Sequence, residues 1–331
     1  MRIGLGMAAL GRPGYINLSR DTHLPSRTVE GMQSQANAVM DELFEKAAAA
    51  SGDGEKNVPW LDCARSYGLS EKFVGEYLRS RNVSPEEVYV SSKWGYTYVA
   101  DWNVELGDGE PHEVKDHSLP NFLKQVEETR EFVGSYLKLY QVHSATMESG
   151  ILTNTDVHEA LHKCRQEHGW KLGLSVSGTN QDEIIRKAME ITVGEPPVRL
   201  FDSVQCTYNV LEQKPGTALL EAREAGMDVI IKEGLANGRT LRHPRLLELS
   251  ERMGCNADQL ALGAVLAQPF RPRVLSGAVT TDQLSSNLGA LDVNEKLTTT
   301  DEGKKILEEL MAGCKMDSEE YWKDRSALKW N

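Results

Sequence analysis

Cysteine is sparse and unpaired in this chain: five residues among 331, with no CxxC spacing. Cys63, Cys164, Cys206, Cys255 and Cys314 lie scattered, an odd-numbered set that argues for free thiols in a reducing compartment and against a disulfide framework. Long apolar runs are missing too. The stretch around Leu260–Ala267 falls far short of the roughly 20 residues that a membrane span requires. The opening MRIGLGMAALGRPG lacks the charged flank and the cleavage site of a secretory leader. Positive charge is the scarcer sign, 37 Lys and Arg against 49 Asp and Glu, for a net charge of −12. That balance excludes a sequence-blind grip on nucleic acid or anionic lipid. No low-complexity linker or tandem repeat divides the chain. We expect a soluble, cytoplasmic protein, one domain over residues 1–331, whose partner is a small molecule and neither nucleic acid nor a membrane.

What the chain does have is alternation. Candidate strands fall at Ile3–Leu10, Val58–Asp62, Val88–Ser92, Leu139–His143, Leu172–Val176, Ser203–Thr207, Met227–Ile231 and Val274–Gly277. Helical periods separate them: Ala36, Val39, Met40, Leu43, Phe44 and Ala47 make one apolar face, and Leu284, Leu288 and Leu291 make another. Strands alternating with helices mean parallel strands joined by crossovers. Eight of them predict an α/β fold, a (β/α)8 TIM barrel, with a C-terminal helical extension over about 297–331 in which Ile306, Leu307, Leu310 and Met311 form a packing stripe. The long irregular stretch Trp94–Leu119 reads as a lid or binding wall.

Three local patterns invite other readings. Gly4-Leu5-Gly6-Met7-Ala8-Ala9 matches a dinucleotide fingerprint, but only three residues precede it and Gly11, Pro13 and Gly14 break the helix that should follow. It reads instead as a first barrel strand with small residues where backbone comes close to something. Tyr89 and Lys93 have the YxxxK spacing that needs a helix, yet Val88–Ser92 is a strand pattern that sets them about 13 Å apart. His158 and His162, with Cys164 and His168 nearby, have no third strand-borne ligand, so they are expected on a solvated helix face and no metal is expected.

Reactive groups of such barrels lie at the C-terminal strand ends. The second, third and fourth strands end at Asp62, Lys93 and His143, with Tyr67 in the turn after the second. The segments LDCARSYGLSE (61–71), VSSKWG (90–95), LKLYQVHS (137–144), DSVQCTYNVL (202–211) and LSGAVTTDQLSSNLGAL (275–291) carry a resemblance to the aldo-keto reductases over nearly the whole chain. The resemblance implies a nicotinamide-dependent carbonyl reductase with Asp62, Tyr67, Lys93 and His143 as its catalytic tetrad. Tyr67 would be the general acid. Lys93, set against its hydroxyl, would favour the phenolate, Asp62 would hold Lys93, and His143 would bond the carbonyl oxygen.

For the cofactor, the resemblance assigns Ser175 and Gln205 to the carboxamide and Lys232 (or Ile231) to the nicotinamide face. Gly234, Leu235, Asn237 and Arg239 fall to the pyrophosphate, and Ser276, Gly277, Ala278, Thr280, Gln283 and Asn287 to the adenosine end. Family habit favours NADP(H), with NAD(H) the rival, because Gly277–Asn287 contains neither Lys nor Arg. Val176 stands where relatives often carry an asparagine. Trp94, Tyr96 and Trp102 are candidate walls of a substrate pocket, and the tail with Tyr321, Trp322 and Trp330 a candidate closure. Relatives also carry a hairpin before the first strand that plugs the barrel floor; here the floor is expected to be closed differently, or the chain to lack its natural beginning. An aldose or sugar dehydrogenase using the same site, and a non-catalytic cofactor-sensing auxiliary protein, are the alternatives. The substrate expected is a small carbonyl compound or a sugar.

Overall fold

Eight short strands hydrogen-bond side by side until the last meets the first. The computed structural model describes residues 1–51, 57–107 and 109–331. Its barrel strands are β1 (Ile3–Gly6), β2 (Trp60–Asp62), β3 (Tyr89–Trp94), β4 (Leu137–Ala145), β5 (Lys171–Val176), β6 (Ser203–Thr207), β7 (Asp228–Lys232) and β8 (Arg273–Ser276). They close a parallel barrel in the order β1-β8-β7-β6-β5-β4-β3-β2. The helices are α1 (Val29–Ala49), α2 (Ser70–Ser80), α3 (Leu119–Val133), α4 (Thr155–His168), α5 (Gln181–Glu190), α6 (Gly216–Glu224), α7 (Pro244–Met253), α8 (Ala257–Leu266), α9 (Thr281–Leu288), α10 (Ala290–Thr299), α11 (Asp301–Cys314) and α12 (Ser318–Ser326).

Strand alternation sorts the side chains. Leu61, Val90, Trp94, Tyr140 and Val142 join the core between strands and helices. Trp60, Leu139, Ile230 and Leu275 fill the barrel interior. Gly4 makes that filling possible, since a Cβ there would lie 2.3 Å from Cε3 of Trp60. Of the two glycines of β1, Gly4 serves this close approach, whereas a Cβ on Gly6 would meet its nearest neighbour, the Ser276 carbonyl oxygen, at 3.4 Å. Below Trp60, Tyr89 meets the indole edge-on and the Arg273 guanidinium lies over Tyr89, 5.2 Å from the ring centre, so these side chains close the floor.

The ends of the elements follow local chemistry. Thr28 and Ser118 cap α1 and α3 by accepting the amides of Gly31 and Asn121. Thr280 caps α9 through the Gln283 amide, and Gln283 returns its carbonyl to the Val279 amide. The buried face of α1 is Met32, Ala36, Val39, Met40, Leu43 and Ala47. A second apolar cluster joins Leu246, Leu260, Val293, Ile306, Leu310 and Tyr321, which fastens α11 and α12 to α7, α8 and α10.

Two segments differ from expectation. β1 stops at Gly6, and Met7–Ala9 turn into a 3-10 helix. The stretch Trp94–Leu119 contains an antiparallel pair, Tyr96–Tyr98 with Glu113–Lys115.

Candidate active site

Parallel register brings the ends of β2, β3 and β4 to one mouth: Asp62 pairs with Ser91, and Lys93 with Gln141. Asp62 and Lys93 form a buried ion pair, with Lys93 Nζ donating to Asp62 Oδ2 at 2.5 Å and to the Cys63 carbonyl at 2.8 Å. Asp62 Oδ1 accepts the Ser91 hydroxyl at 2.7 Å and the side-chain amides of Gln141 and Gln205 at 3.3 Å each. The carboxylate is thus hydrogen-bonded on both oxygens, which a buried charge requires.

Tyr67 stands in the turn after β2, its amide bonded to the Ala64 carbonyl. Lys93 Nζ lies over its ring, 4.6 Å from the centre. Burial, then the Asp62 carboxylate, push the Tyr67 phenol well above its ordinary value, while Arg12 opposes them. The phenol is held protonated, the form a proton donor needs.

His143 meets the Tyr67 ring edge-on, with centres 5.4 Å apart. Burial, followed by Lys93, Arg12 and Lys232, holds its imidazole well below the usual range, so it is neutral. Its Nδ1 lies 3.3 Å from the Ser66 hydroxyl. Ser66 donating there leaves the ring proton on Nε2, free to donate elsewhere.

From this mouth a cleft of about 640 Å³ runs outward, with Gly6, Asp62 and Tyr67 at one end. Its walls include Gln205, Lys232, Gly234, Leu235, Asn237, Ser276, Gly277, Ala278, Gln283 and Asn287. Ten of the thirteen residues assigned to a cofactor are thereby brought together. Three are not. Arg239 turns away: its guanidinium lies 4.2 Å from the Tyr321 ring centre and donates to the Tyr321 carbonyl. The left-handed residues Ala236 and Asn237 just before it redirect the chain. Ser175 is buried beside the mouth and accepts the Ser144 amide. Thr280 spends its hydroxyl on the α9 cap. Ile231 faces the outer core, so Lys232 holds the place beside the mouth, its Nζ donating to Thr207 at 2.6 Å and Ser177 at 3.1 Å.

Of the aromatic wall, only Tyr96 packs on the site, 5.1 Å from the His143 ring. Trp94 points outward against Phe122, and Trp102 packs on Phe73 and donates to the Arg27 carbonyl, so both are core side chains. Their even-numbered and loop positions face the helices. Trp330 does come to the mouth, stacked on His112 at 3.9 Å. His158 corrects another expectation: it is buried, with Nε2 2.6 Å from the Ile151 carbonyl. Among the described residues, no group of three or more His, Cys, Asp or Glu is arranged to hold a metal ion, and no helix is long and apolar enough to cross a membrane.

Sequence reasoning missed Arg12, Ser66, Asn17, Arg242 and Asp258. Arg12 and Ser66 surround Tyr67, and the other three line the cleft. The signal for Ser66 was its place directly before Tyr67; the others lie on loops or helix starts with no periodic mark.

Residues 30–306 match the model of the Aldo/keto reductase family. A search of curated protein sequences found no match. Among solved structures, the aldo-keto reductase AKR11C1 from Bacillus halodurans in its holo form aligns with a TM-score of 0.63 at 22% identity, over 93% of this chain and 91% of that one. Its apo form aligns with a TM-score of 0.58 at 22% identity, over 84% and 87%.

Proposed function

The chain belongs to the aldo/keto reductase family, and on that premise we propose that it reduces an aldehyde or ketone to an alcohol with a nicotinamide dinucleotide, Tyr67 giving the proton. One observation carries the reading: Tyr67 lines the inner end of a long cleft, with His143 packed edge-on against its ring and a buried Asp62–Lys93 pair beside it. A reduced nicotinamide held in this cleft would supply hydride for the carbonyl carbon. His143 Nε2 donates to the carbonyl oxygen, and Tyr67 delivers its proton to that oxygen as charge develops. Lys93 stabilises the phenolate left behind, and Asp62 holds the Lys93 ammonium in place.

The cleft fits such a cofactor on its unpaired groups. Gln205 Oε1 and Asn237 Oδ1 are buried without a hydrogen-bond partner among the described residues, and both residues line the cleft. Gln205 suits the carboxamide, Gly234 to Gly238 and Arg242 the pyrophosphate, and Ser276 to Asn287 the adenosine.

A second reading concerns which dinucleotide binds. The adenosine end carries Asp258 and Asp282 and lacks a Lys or Arg over Gly277–Asn287. Carboxylates accept ribose hydroxyls and repel a 2′-phosphate. This favours NAD(H) over the NADP(H) of family habit.

Tyr67→Phe tests the reaction. The variant is expected to keep cofactor Kd, read by fluorescence titration, and to lose roughly 10²–10⁴-fold in kcat across a panel of aldehydes, ketones and aldoses. Normal turnover by this variant would end the assignment.

A further inference from the structure

Arg12 is buried beside Tyr67, and no step described above uses it. It follows the 3-10 turn after β1, where the chain lies directly on the turn that carries Tyr67: the Leu69 amide donates to the Gly11 carbonyl at 2.7 Å. Only glycine permits this contact. A Cβ on Gly11 would lie 2.3 Å from the Tyr67 carbonyl oxygen. Gly68 has φ +58°, and a Cβ there would lie 2.4 Å from the Gly11 carbonyl oxygen. Two glycines therefore press the guanidinium onto the site.

Once there, Arg12 Nη1 donates to the Ser66 carbonyl and to Glu113 Oε2, at 2.8 Å each. Its Cζ lies 5.3 Å from the centre of the Tyr67 ring, 5.0 Å from that of Tyr15 and 4.7 Å from that of Trp330. Ser66 in turn bonds His143. Arg12 is 2% exposed, and its Nε has no hydrogen-bond partner among the described residues. Burying a guanidinium is costly, and packing among aromatic rings alone is satisfied by a neutral side chain. The charge itself calls for a use.

We propose that Arg12 is a positioning residue for the proton donor: through Ser66 it sets Tyr67 and His143 in register, and with Glu113 it forms a charge pair that faces the phenol. This rests on Tyr67 being the proton donor. The other charged and titratable groups around Tyr67 are Asp62, Lys93 and His143 inside the barrel, Tyr15 beside it, Lys232 at the end of β7 and Glu233 just after it. Glu233 is itself paired with Arg325. In this setting Arg12 favours the phenolate, whereas Glu113 favours the phenol. The two halves of one ion pair thus act on Tyr67 with opposite sign. A purely structural pair has no such signature, because breaking it from either side loosens the same contact.

The test uses the full chain in the alcohol-oxidation direction, where phenolate is the needed form and log kcat/KM climbs with pH toward the phenol's ionisation. Arg12→Gln is expected to displace that line to higher pH by about one unit, a roughly tenfold loss at fixed pH, with cofactor Kd unchanged by fluorescence titration. Glu113→Gln is expected to displace it to lower pH, a gain in rate. Arg12→Lys keeps the charge without the fork, so its line stays in place while kcat falls. Losses in both Arg12→Gln and Glu113→Gln, or no displacement in either, overturn the proposal. Tyr67→Phe run alongside separates the two readings: if it still turns over, the proton-donor assignment fails, whereas a dead Tyr67→Phe with undisplaced lines sinks only the role of Arg12.

Discussion

Lys93 is fully buried, and among the described residues Asp62 is its only carboxylate partner. Lys93→Met strands the Asp62 carboxylate in the barrel with a set of donors arranged for an ion pair. The expected loss is about 3–5 kcal/mol of unfolding free energy by urea titration. Adding Asp62→Asn to Lys93→Met removes the orphan charge and is expected to recover much of that loss. Equal stability of the two variants would show that the pair is not paired in solution as it is here. Asp62, Lys93 and His143 were legible in the sequence because a strand fixes which side chains share a face, and its C-terminal end fixes which of these reach the mouth. Arg12 was not. Its approach to Tyr67 depends on two turns touching through Gly11 and Gly68, a tertiary contact that no period encodes. Arg239 misled for the related reason that Ala236 and Asn237, both at positive φ, aim it at Tyr321.

At the scale of elements, the outer end of the cleft belongs to the starts of α8 and α9. Asp258 lies in the first turn of α8 and accepts the side-chain amide of Asn287 at 2.7 Å; Asn287 in turn accepts the Ser276 hydroxyl. Asp282 lies in the first turn of α9. Acids suit helix N-termini, which explains their presence without a ligand. Their consequence for a ligand is separate: a helix start that attracts anions is here occupied by the protein's own carboxylates. The double substitution Asp258→Asn/Asp282→Asn is therefore expected to tighten NADPH binding about tenfold, or ~1.4 kcal/mol, and to leave NADH within about threefold. Fluorescence titration of both dinucleotides reads the change, and equal gains for NADH and NADPH would contradict it. The eight barrel strands were readable as short β-rich runs between helical periods. The pair Tyr96–Tyr98 with Glu113–Lys115 was not, because its halves are three residues long and joined by a long connection that carries no hairpin signal.

The molecule as a whole buries histidines in the neutral form, and this sets how it responds to acid. His117 Nε2 donates to the His143 carbonyl at 2.9 Å, and burial brings its pKa down to about 4. His143 is held lower than its usual range by burial and by Lys93. In the unfolded chain both take up protons near pH 6.5. Between that value and the folded pKa the unfolded state binds more protons, so stability is complete above about 6.5 and falls as pH drops. For His117 alone the loss is on the order of 3 kcal/mol by pH 4. Glu233 adds a later stage. Burial pushes its carboxyl up, yet Arg325 and Lys232 hold it at about 2, so its contribution is present above about 4.5 and disappears toward pH 2. A competing trend comes from the net charge of −12: protonating surface acids relieves self-repulsion as pH approaches the isoelectric point of 5.3. The two trends separate through one variant. His117→Gln keeps an amide donor for the His143 carbonyl and removes a titrating ring, while the surface charge is untouched. Its urea midpoint is expected to fall less between pH 7 and 4.5 than that of the unsubstituted protein. Parallel curves for the two would mean that His117 takes up its proton in the folded state as readily as in the unfolded one, and that the acid response lies with the surface charge.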